Sequence, residues 1–348
     1  MIRADTRLAG GTNIARTSVI VLTSVLLAVA STAYGAGETP VLNSGHDEQT
    51  PAASDGYLLW VANSNDRPRH YDAFAKPDGQ PRFRLNPAGT QSFSVGVDGT
   101  TAVYQRFTPR DFDSDIKMYD LEARERSSPP AGVNTDLWEQ RPTTSGDWLL
   151  FQRQNFGNHP WARVVLFNTA TEKRRILDQV TGNRRWLMSN QVNGDFATWE
   201  RCDPGFAECE VYRYKISTKE RMKIPNPGQQ QYSSGVAEDG TVYFIRAGRS
   251  AYWVCGRNAR IVRYADGGTE VIASIRDGRD SFATFAITNP DGSDTFYYDR
   301  VTCRDGAVDV YVVEDADTAR PVAVRASREG PVGRSVADRR AVGYSAGS

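Results

Sequence analysis

Asn193-Gly194-Asp195-Phe196-Ala197-Thr198-Trp199-Glu200-Arg201 contains a turn signal, a short alternating run and a closing aromatic-x-Arg phrase. Asn-Gly readily adopts the positive φ angles of a two-residue hairpin, so the stretch reads as a strand corner followed by a strand. The phrase recurs as Tyr104-Gln105-Arg106, Phe151-Gln152-Arg153, Phe244-Ile245-Arg246 and Tyr298-Asp299-Arg300, and the five arginines are spaced by 47, 48, 45 and 54 residues. Each copy follows its own turn signal: Asp98-Gly99, Ser145-Gly146, Asp239-Gly240 and Asp291-Gly292. A sustained period in this range marks repeated supersecondary units.

Beyond each arginine a loop leads to a second alternating run: Asp115–Asp120, Arg163–Asn168, Glu210–Lys215, Arg260–Ala265 and Asp309–Glu314. A polar turn and a short final strand follow, such as Arg174–Leu177 or Glu270–Ala273. One unit therefore reads as four antiparallel strands, a to d. A sixth copy starts at Asp55-Gly56 and Tyr57–Val61, with Trp60 in the aromatic place and Ala62 where the arginine would stand. Ser335–Asp338 and Ala341–Tyr344 resemble a terminal a–b pair, and Asp55 to Asp338 is close to six periods. The pattern predicts an all-β, six-bladed β-propeller of four-stranded antiparallel blades, its C-terminal strands pairing against the first blade; a seven-bladed ring is the alternative. Radial closure leaves only short, protected sheet edges.

Glu210-Val211-Tyr212 and Asp309-Val310-Tyr311 resemble the acid-Ile/Val-Tyr strand of TolB-like (WD40-like) propeller repeats. Asp115-Ile116-Lys117-Met118-Tyr119 is similar without the early tyrosine, and the runs at Arg163 and Arg260 depart further. The resemblance covers residues 55 to 345. It implies a propeller fold and fixes no activity, because such repeats serve both in binding proteins and as accessory domains of peptidases.

Arg3, Arg7 and Arg16 precede an apolar run, Val19 to Ala30, followed by small residues. This reads as a secretory signal peptide over residues 1–35, cleaved after Ala33 or Gly35. An uncleaved anchor, Thr17 to Gly37, is the alternative. Residues 36–50 are expected as a flexible N-terminal segment and 51–348 as a single propeller domain, with no membrane span once the signal is removed. The secreted or envelope chain is expected as a monomer. The whole sequence balances 42 basic against 42 acidic residues. Loss of Arg3, Arg7, Arg16 and Asp5 with the signal leaves the remainder slightly acidic, so no excess of cations exists to neutralise a nucleic-acid backbone.

Cys202, Cys209, Cys255 and Cys303 all fall between strands b and c, and no cysteine precedes Cys202. In an oxidising compartment the natural assignment is two disulfides, Cys202–Cys209 and Cys255–Cys303. A zinc site is the alternative, but no two cysteines have the close spacing such sites use. No metal or other cofactor is expected.

The five arginines suggest two roles. Asp115, Glu210 and Asp309 stand across the b–c loop from Arg106, Arg201 and Arg300, where cross-strand ion pairs explain them. Arg153 and Arg246 face Arg163 and Arg260 instead, which makes them candidates for binding an anion. Phe156, His159 and Trp161 share the loop after Arg153, and Tyr252 and Trp253 the loop after Arg246; exposed aromatics on a rim anchor partners, though packing between blades would also explain them. The other histidines are His70 and His46, the latter in the N-terminal segment. Asp111-Phe112-Asp113-Ser114-Asp115 superficially matches a calcium loop, but Ile116 stands where the turn needs glycine. No Gly-x-Ser-x-Gly elbow occurs, and Glu139 is the one acid near the expected innermost strands.

The sequence thus points to an exported, non-catalytic propeller that binds an envelope or extracellular protein, or a glycan, through its b–c rim. An extracytoplasmic hydrolase or lyase using the central channel is the competing class.

Overall fold

Six antiparallel sheets of four strands each stand around a central axis. The computed structural model describes residues 38–42, 47–64, 67–182, 186–203, 208–225, 230–247, 259–274, 280–288, 296–302 and 308–313. After β1 (Glu38–Leu42), blade 1 comprises β2 (Glu48–Ser54), β3 (Tyr57–Ser64), β4 (Arg67–Pro77) and β5 (Phe83–Arg84). Blade 2 comprises β6 (Val95–Asp98), β7 (Thr101–Thr108), β8 (Asp113–Asp120) and β9 (Glu125–Ser127). Blade 3 comprises β10 (Trp138–Ser145), β11 (Trp148–Asn155), β12 (Trp161–Asn168) and β13 (Lys173–Thr181). Blade 4 comprises β14 (Trp186–Asn193), β15 (Phe196–Cys202), β16 (Cys209–Lys215) and β17 (Glu220–Lys223). Blade 5 comprises β18 (Gln230–Val236), β19 (Val242–Ala247), β20 (Arg260–Ala265) and β21 (Gly268–Ser274). Blade 6 comprises β22 (Asp280–Thr288), β23 (Phe296–Thr302) and β24 (Val308–Val313), and β1 is its outer strand. The innermost strands β2, β6, β10, β14, β18 and β22 neighbour one another in that order and β22 returns to β2. The ring has six blades, not seven.

The aromatic-x-Arg phrase now has a physical meaning. Strand side chains alternate between faces, so on strand b the aromatic faces one neighbouring blade and the spacer the other. Tyr104 packs with Leu59 and Ala73 of blade 1, Phe151 with Val103 and Ile116 of blade 2, and Trp199 with Leu150 and Val164 of blade 3. Phe244 packs with Val211 of blade 4, Tyr298 with Tyr243 and Ile261 of blade 5, and Trp60 with Leu42 and Tyr297 of blade 6. Each motif aromatic is fully buried against the preceding blade, a contribution of about 2–3 kcal/mol apiece. The spacers Val61 and Ile245 belong to the cores shared with the following blade. Among the described residues the apolar side chains form six small cores between blades rather than one large one.

The turn glycines tie blades together as well. The N–H groups of Gly99, Gly146 and Gly194 donate to Ser54 Oγ, Asp98 Oδ2 and Ser145 Oγ at 2.9, 2.6 and 3.0 Å, each acceptor ending strand a of the preceding blade. Gly194 has φ +52°, within the region that the Asn-Gly signal predicts. Gly96 answers a different demand: a Cβ there would lie 2.7 Å from Thr143 Cα, because β6 and β10 approach too closely for a side chain.

Two expectations need correction. The ring is closed by the N-terminal strand β1, antiparallel to β24 with Glu38 opposite Val313 and Pro40 opposite Tyr311; the proposed C-terminal pair, residues 335–344, lies outside the described residues. Accordingly, β1 and the start of β2 fall within residues 36–50, where a flexible segment was expected. The sequence hid this because β1 is a lone strand without the hairpin punctuation that marks the repeats.

Candidate functional site

The b–c loops and the d-to-a connections emerge on one face of the ring. There, six aromatic rings form an unbroken row over three blades. Tyr71 of β4 lies 5.7 Å from Phe93, and Phe93 lies 5.6 Å from Phe107 of β7. Phe107 reaches Phe112 at 5.9 Å and Trp138 at 5.6 Å; Phe112 and Trp138 are 4.8 Å apart; Trp138 reaches Phe156 at 5.0 Å. These tilted and edge-on contacts are favoured aromatic geometries.

Local backbone chemistry sets the row. A two-bond bridge between Gln91 and Phe107 pins the connection that carries Phe93 beside strand b of blade 2. Trp138 opens β10, and its indole Nε1 donates to the Phe112 carbonyl at 3.1 Å. Phe112 sits at φ +51°, a conformation costly for a bulky side chain, and stays 65% exposed. Asn155 Oδ1 accepts the Gly157 N–H at 2.8 Å, a tight turn that presents Phe156 at 57% exposure. These are two of the three large, exposed hydrophobic side chains among the described residues, and both lie in the row.

The sequence-predicted residues divide. Phe156 belongs to the row. His159 is exposed in the same loop, and Trp161, half-buried at the start of β12, has the Arg163 guanidinium 4.1 Å above its ring. Tyr252 and Trp253 lie outside the described residues, as do Cys255 and Cys303. Arg153 leaves the site: it is 4% exposed, donates from Nε to Glu139 Oε1 at 2.7 Å, and caps the carbonyls of Gly132 and Val133 at 3.0 and 2.7 Å. It does stand opposite Arg163 in the register, but its acid comes from strand a of its own blade. Arg246 stands opposite Arg260, as expected.

The other arginine pairings are mixed. Arg106 is paired with Asp115, and Arg300 stands directly opposite Asp309. Arg201 stands opposite Glu210, but its ion pair is with Asp178 of the preceding blade, which also accepts from Trp199 Nε1 at 2.9 Å and Arg221 at 3.0 Å. The calcium-like stretch is occupied otherwise, because β8 begins at Asp113 and Asp115 holds Arg106 and Lys117. Cys202 and Cys209 form the expected disulfide across β15 and β16.

Glu139 is not the one acid near the inner layer. Glu48 lies buried on β2, and two spacers on strand b are carboxylates aimed at the following blade. Glu200 Oε2 accepts the Ser233 N–H at 2.9 Å, and Asp299 Oδ2 accepts the Thr50 N–H at 3.1 Å. Thr50 and Ser233 sit at bulges in β2 and β18 with φ of +53° and +54°. A bulge frees an N–H from the ladder, and the neighbour's carboxylate takes it. Burial, opposed by the Arg141 charge and the Ser233 N–H, pushes Glu200 up to about 7. Burial likewise raises the Glu139 carboxyl, against its bonds to Thr135 and Arg153.

Solved structures similar to this chain include a β-propeller domain. A TolB candidate from Agrobacterium tumefaciens aligns with a TM-score of 0.50 at 10% identity over 78% of this chain and 91% of its own. The β-propeller domain of the Trilobed protease from Pyrococcus furiosus gives 0.47 at 11% over 78% and 96%. A prolyl endopeptidase gives 0.50 at 13% over 81% of this chain but 43% of its own, so this chain spans less than half of that enzyme. Comparison with protein-family models and with curated proteins gives no match. At such identities the likeness is one of fold.

The sequence reading missed Tyr71, Phe93, Phe107, Phe112 and Trp138 as site residues. Their usable signal was position: Phe107 and Phe112 flank one b–c loop, and Trp138 opens the neighbouring strand a.

Proposed function

We propose that the protein is an exported, non-catalytic binding propeller whose partner, an envelope or extracellular protein or a glycan, meets the aromatic row on the b–c face. The observation that carries this reading is Phe112, held exposed at positive φ against Trp138. Strained and exposed aromatic positions concentrate at binding sites, and contiguous exposed apolar surface marks interaction surfaces. The Trp138 N–H is engaged by the Phe112 carbonyl, which fixes the indole beside the exposed Phe112 ring. Export is supported by the signal-like residues 1–35 and by the Cys202–Cys209 disulfide, a bond of oxidising compartments.

One observation favours the channel-hydrolase reading: Glu200, near 7, is poised as an acid–base group would be. Its surroundings favour a structural role. The side chain is fully enclosed, and one oxygen is committed to Ser233, so a substrate would have to open a blade boundary to reach it.

Pull-down from native envelope extract, comparing the wild-type chain with the Phe112→Ser/Phe156→Ser variant, tests the binding reading. The wild type is expected to retain a partner that the variant loses at an unchanged thermal midpoint. Equal capture by both would refute the row as the binding surface.

A further inference from the structure

We propose that blade 5 carries a second binding site on the same face, in which Arg246 and Arg260 together hold a doubly charged oxyanion of the phosphate type. The site goes beyond the aromatic row and does not depend on it. Arg246 and Arg260 are directly opposite in the β19–β20 register, so their side chains share one face of the sheet. The Nε and Nη2 atoms of Arg246 are buried and have no hydrogen-bond partner.

The repeat supplies the comparison. In blades 2, 3 and 4 the equivalent arginine is ion-paired with Asp115, Glu139 or Asp178, and in blade 6 it faces Asp309. Among the described residues, blade 5 alone sets an arginine opposite an arginine with no acid paired to it. The sequence sharpens the contrast: from Val242 to Ala265 there are five arginines and no Asp or Glu. Arg263, near the other end of the hairpin, is matched to Glu270 at 3.7 Å. Stacking of Arg246 on Phe244, at 5.3 Å, does not account for the missing acid, because Arg153 stacks on Phe151 at 5.4 Å and still has one.

A guanidinium cannot discharge itself by losing a proton under ordinary conditions. Burial and the neighbouring Arg260 both weaken Arg246's hold on its charge. An external anion supplies what the sister blades build in. Two planar forks side by side match the several acceptor oxygens of a tetrahedral dianion, and two cations without an internal acid balance two negative charges. A singly charged carboxylate would leave one cation unmatched. Arg260 is exposed at the start of β20, so the pair opens to solvent on the b–c face.

The test is titration of the mature chain with inorganic phosphate at constant ionic strength, read by calorimetry and by the thermal midpoint, which rises with occupancy of any ligand bound only by the folded state. Acetate is the singly charged control. Phosphate is expected to bind and acetate to bind at least about tenfold more weakly. Arg260→Gln, at an exposed position, and Arg246→Gln, which removes an unmatched charge, should each weaken phosphate binding by about tenfold or more. Trp138→Ala should leave it unchanged, which separates this site from the aromatic row. Flotation with phosphatidic acid vesicles, whose phosphomonoester headgroup can carry two charges, distinguishes the sources: Arg260-dependent flotation assigns the phosphate to a lipid headgroup, and phosphate binding without flotation to a soluble ligand. No response of the wild type to phosphate, an equal response to acetate, or an Arg260→Gln titration matching the wild type overturns the proposal.

Discussion

The carboxylate of Glu200 on β15 accepts the backbone N–H of Ser233 on β18, 2.9 Å away across a blade boundary. Because burial outweighs this bond and the Arg141 charge, the group's ordinary value of 4.5 rises to about 7 in the folded chain. Between those values the folded state holds a proton that the unfolded state has released. Stability attributable to Glu200 is therefore complete below pH 4.5 and is lost as pH rises to about 7, by about 3 kcal/mol in all. Glu200→Gln keeps an acceptor for Ser233 and removes the titration. Thermal midpoints measured across this window should fall for the wild type and fall less for the variant. Glu139 adds a slope of the same sign to both proteins, so the difference isolates Glu200; parallel curves would refute the assignment.

Asp178, rather than the cross-strand Glu210, neutralises Arg201, and it gathers Trp199 and Arg221 as well. All three donors belong to blade 4 and the acceptor to blade 3, so the network joins two blades. Asp178→Asn should destabilise the chain by about 2–3 kcal/mol, because partly buried guanidiniums lose their counter-charge. Glu210→Gln removes a half-exposed partner of Lys223 and should cost less than about 1 kcal/mol. Chemical denaturation of the two variants distinguishes these outcomes; the reverse order would restore the cross-strand pairing.

The Cys202–Cys209 bond closes a short hairpin loop between β15 and β16. A loop this short limits the entropy removed from the unfolded chain, so Cys202→Ser/Cys209→Ser should cost about 2 kcal/mol. Peptide mapping of the non-reduced protein should recover this pair, together with the Cys255–Cys303 pair expected from the sequence. Crossed pairs would refute both assignments.

The parts of the fold legible in sequence were local. Asn193-Gly194 and its counterparts announce strand corners, and the aromatic-x-Arg phrase marks strand b, because alternation forces one side chain toward each neighbouring blade. Relationships between blades carry no such punctuation. Nothing near Pro40 indicates that it will stand opposite Tyr311, and nothing near Arg201 indicates Asp178 in another blade. The candidate site suffered for the same reason. Phe156 was visible as an aromatic in a b–c loop, but its neighbour Trp138 comes from the innermost strand of the same blade and Phe112, which packs on Trp138, from the preceding blade's loop, and only the packing of blade 2 on blade 3 joins all three.

Gln152 exposes what the spacer position requires. The equivalent Glu200 and Asp299 take a neighbour's N–H, and Gln105 bridges Ser94 and Ser114. Val61 and Ile245 fill the same place with hydrocarbon. Gln152 does neither: it is 1% exposed, and neither its amide nitrogen nor its oxygen has a hydrogen-bond partner. A buried amide left unmatched costs about 1–3 kcal/mol of desolvation. Replacement by methionine, of similar length and without the polar atoms, should therefore stabilise the chain by about 1 kcal/mol. Val61 and Ile245 indicate that the ring tolerates an apolar spacer. The urea midpoint of Gln152→Met should rise with an unchanged slope. A fall of comparable size would mean that an ordered water already satisfies the amide, and that the polar spacer is a working part of this blade boundary.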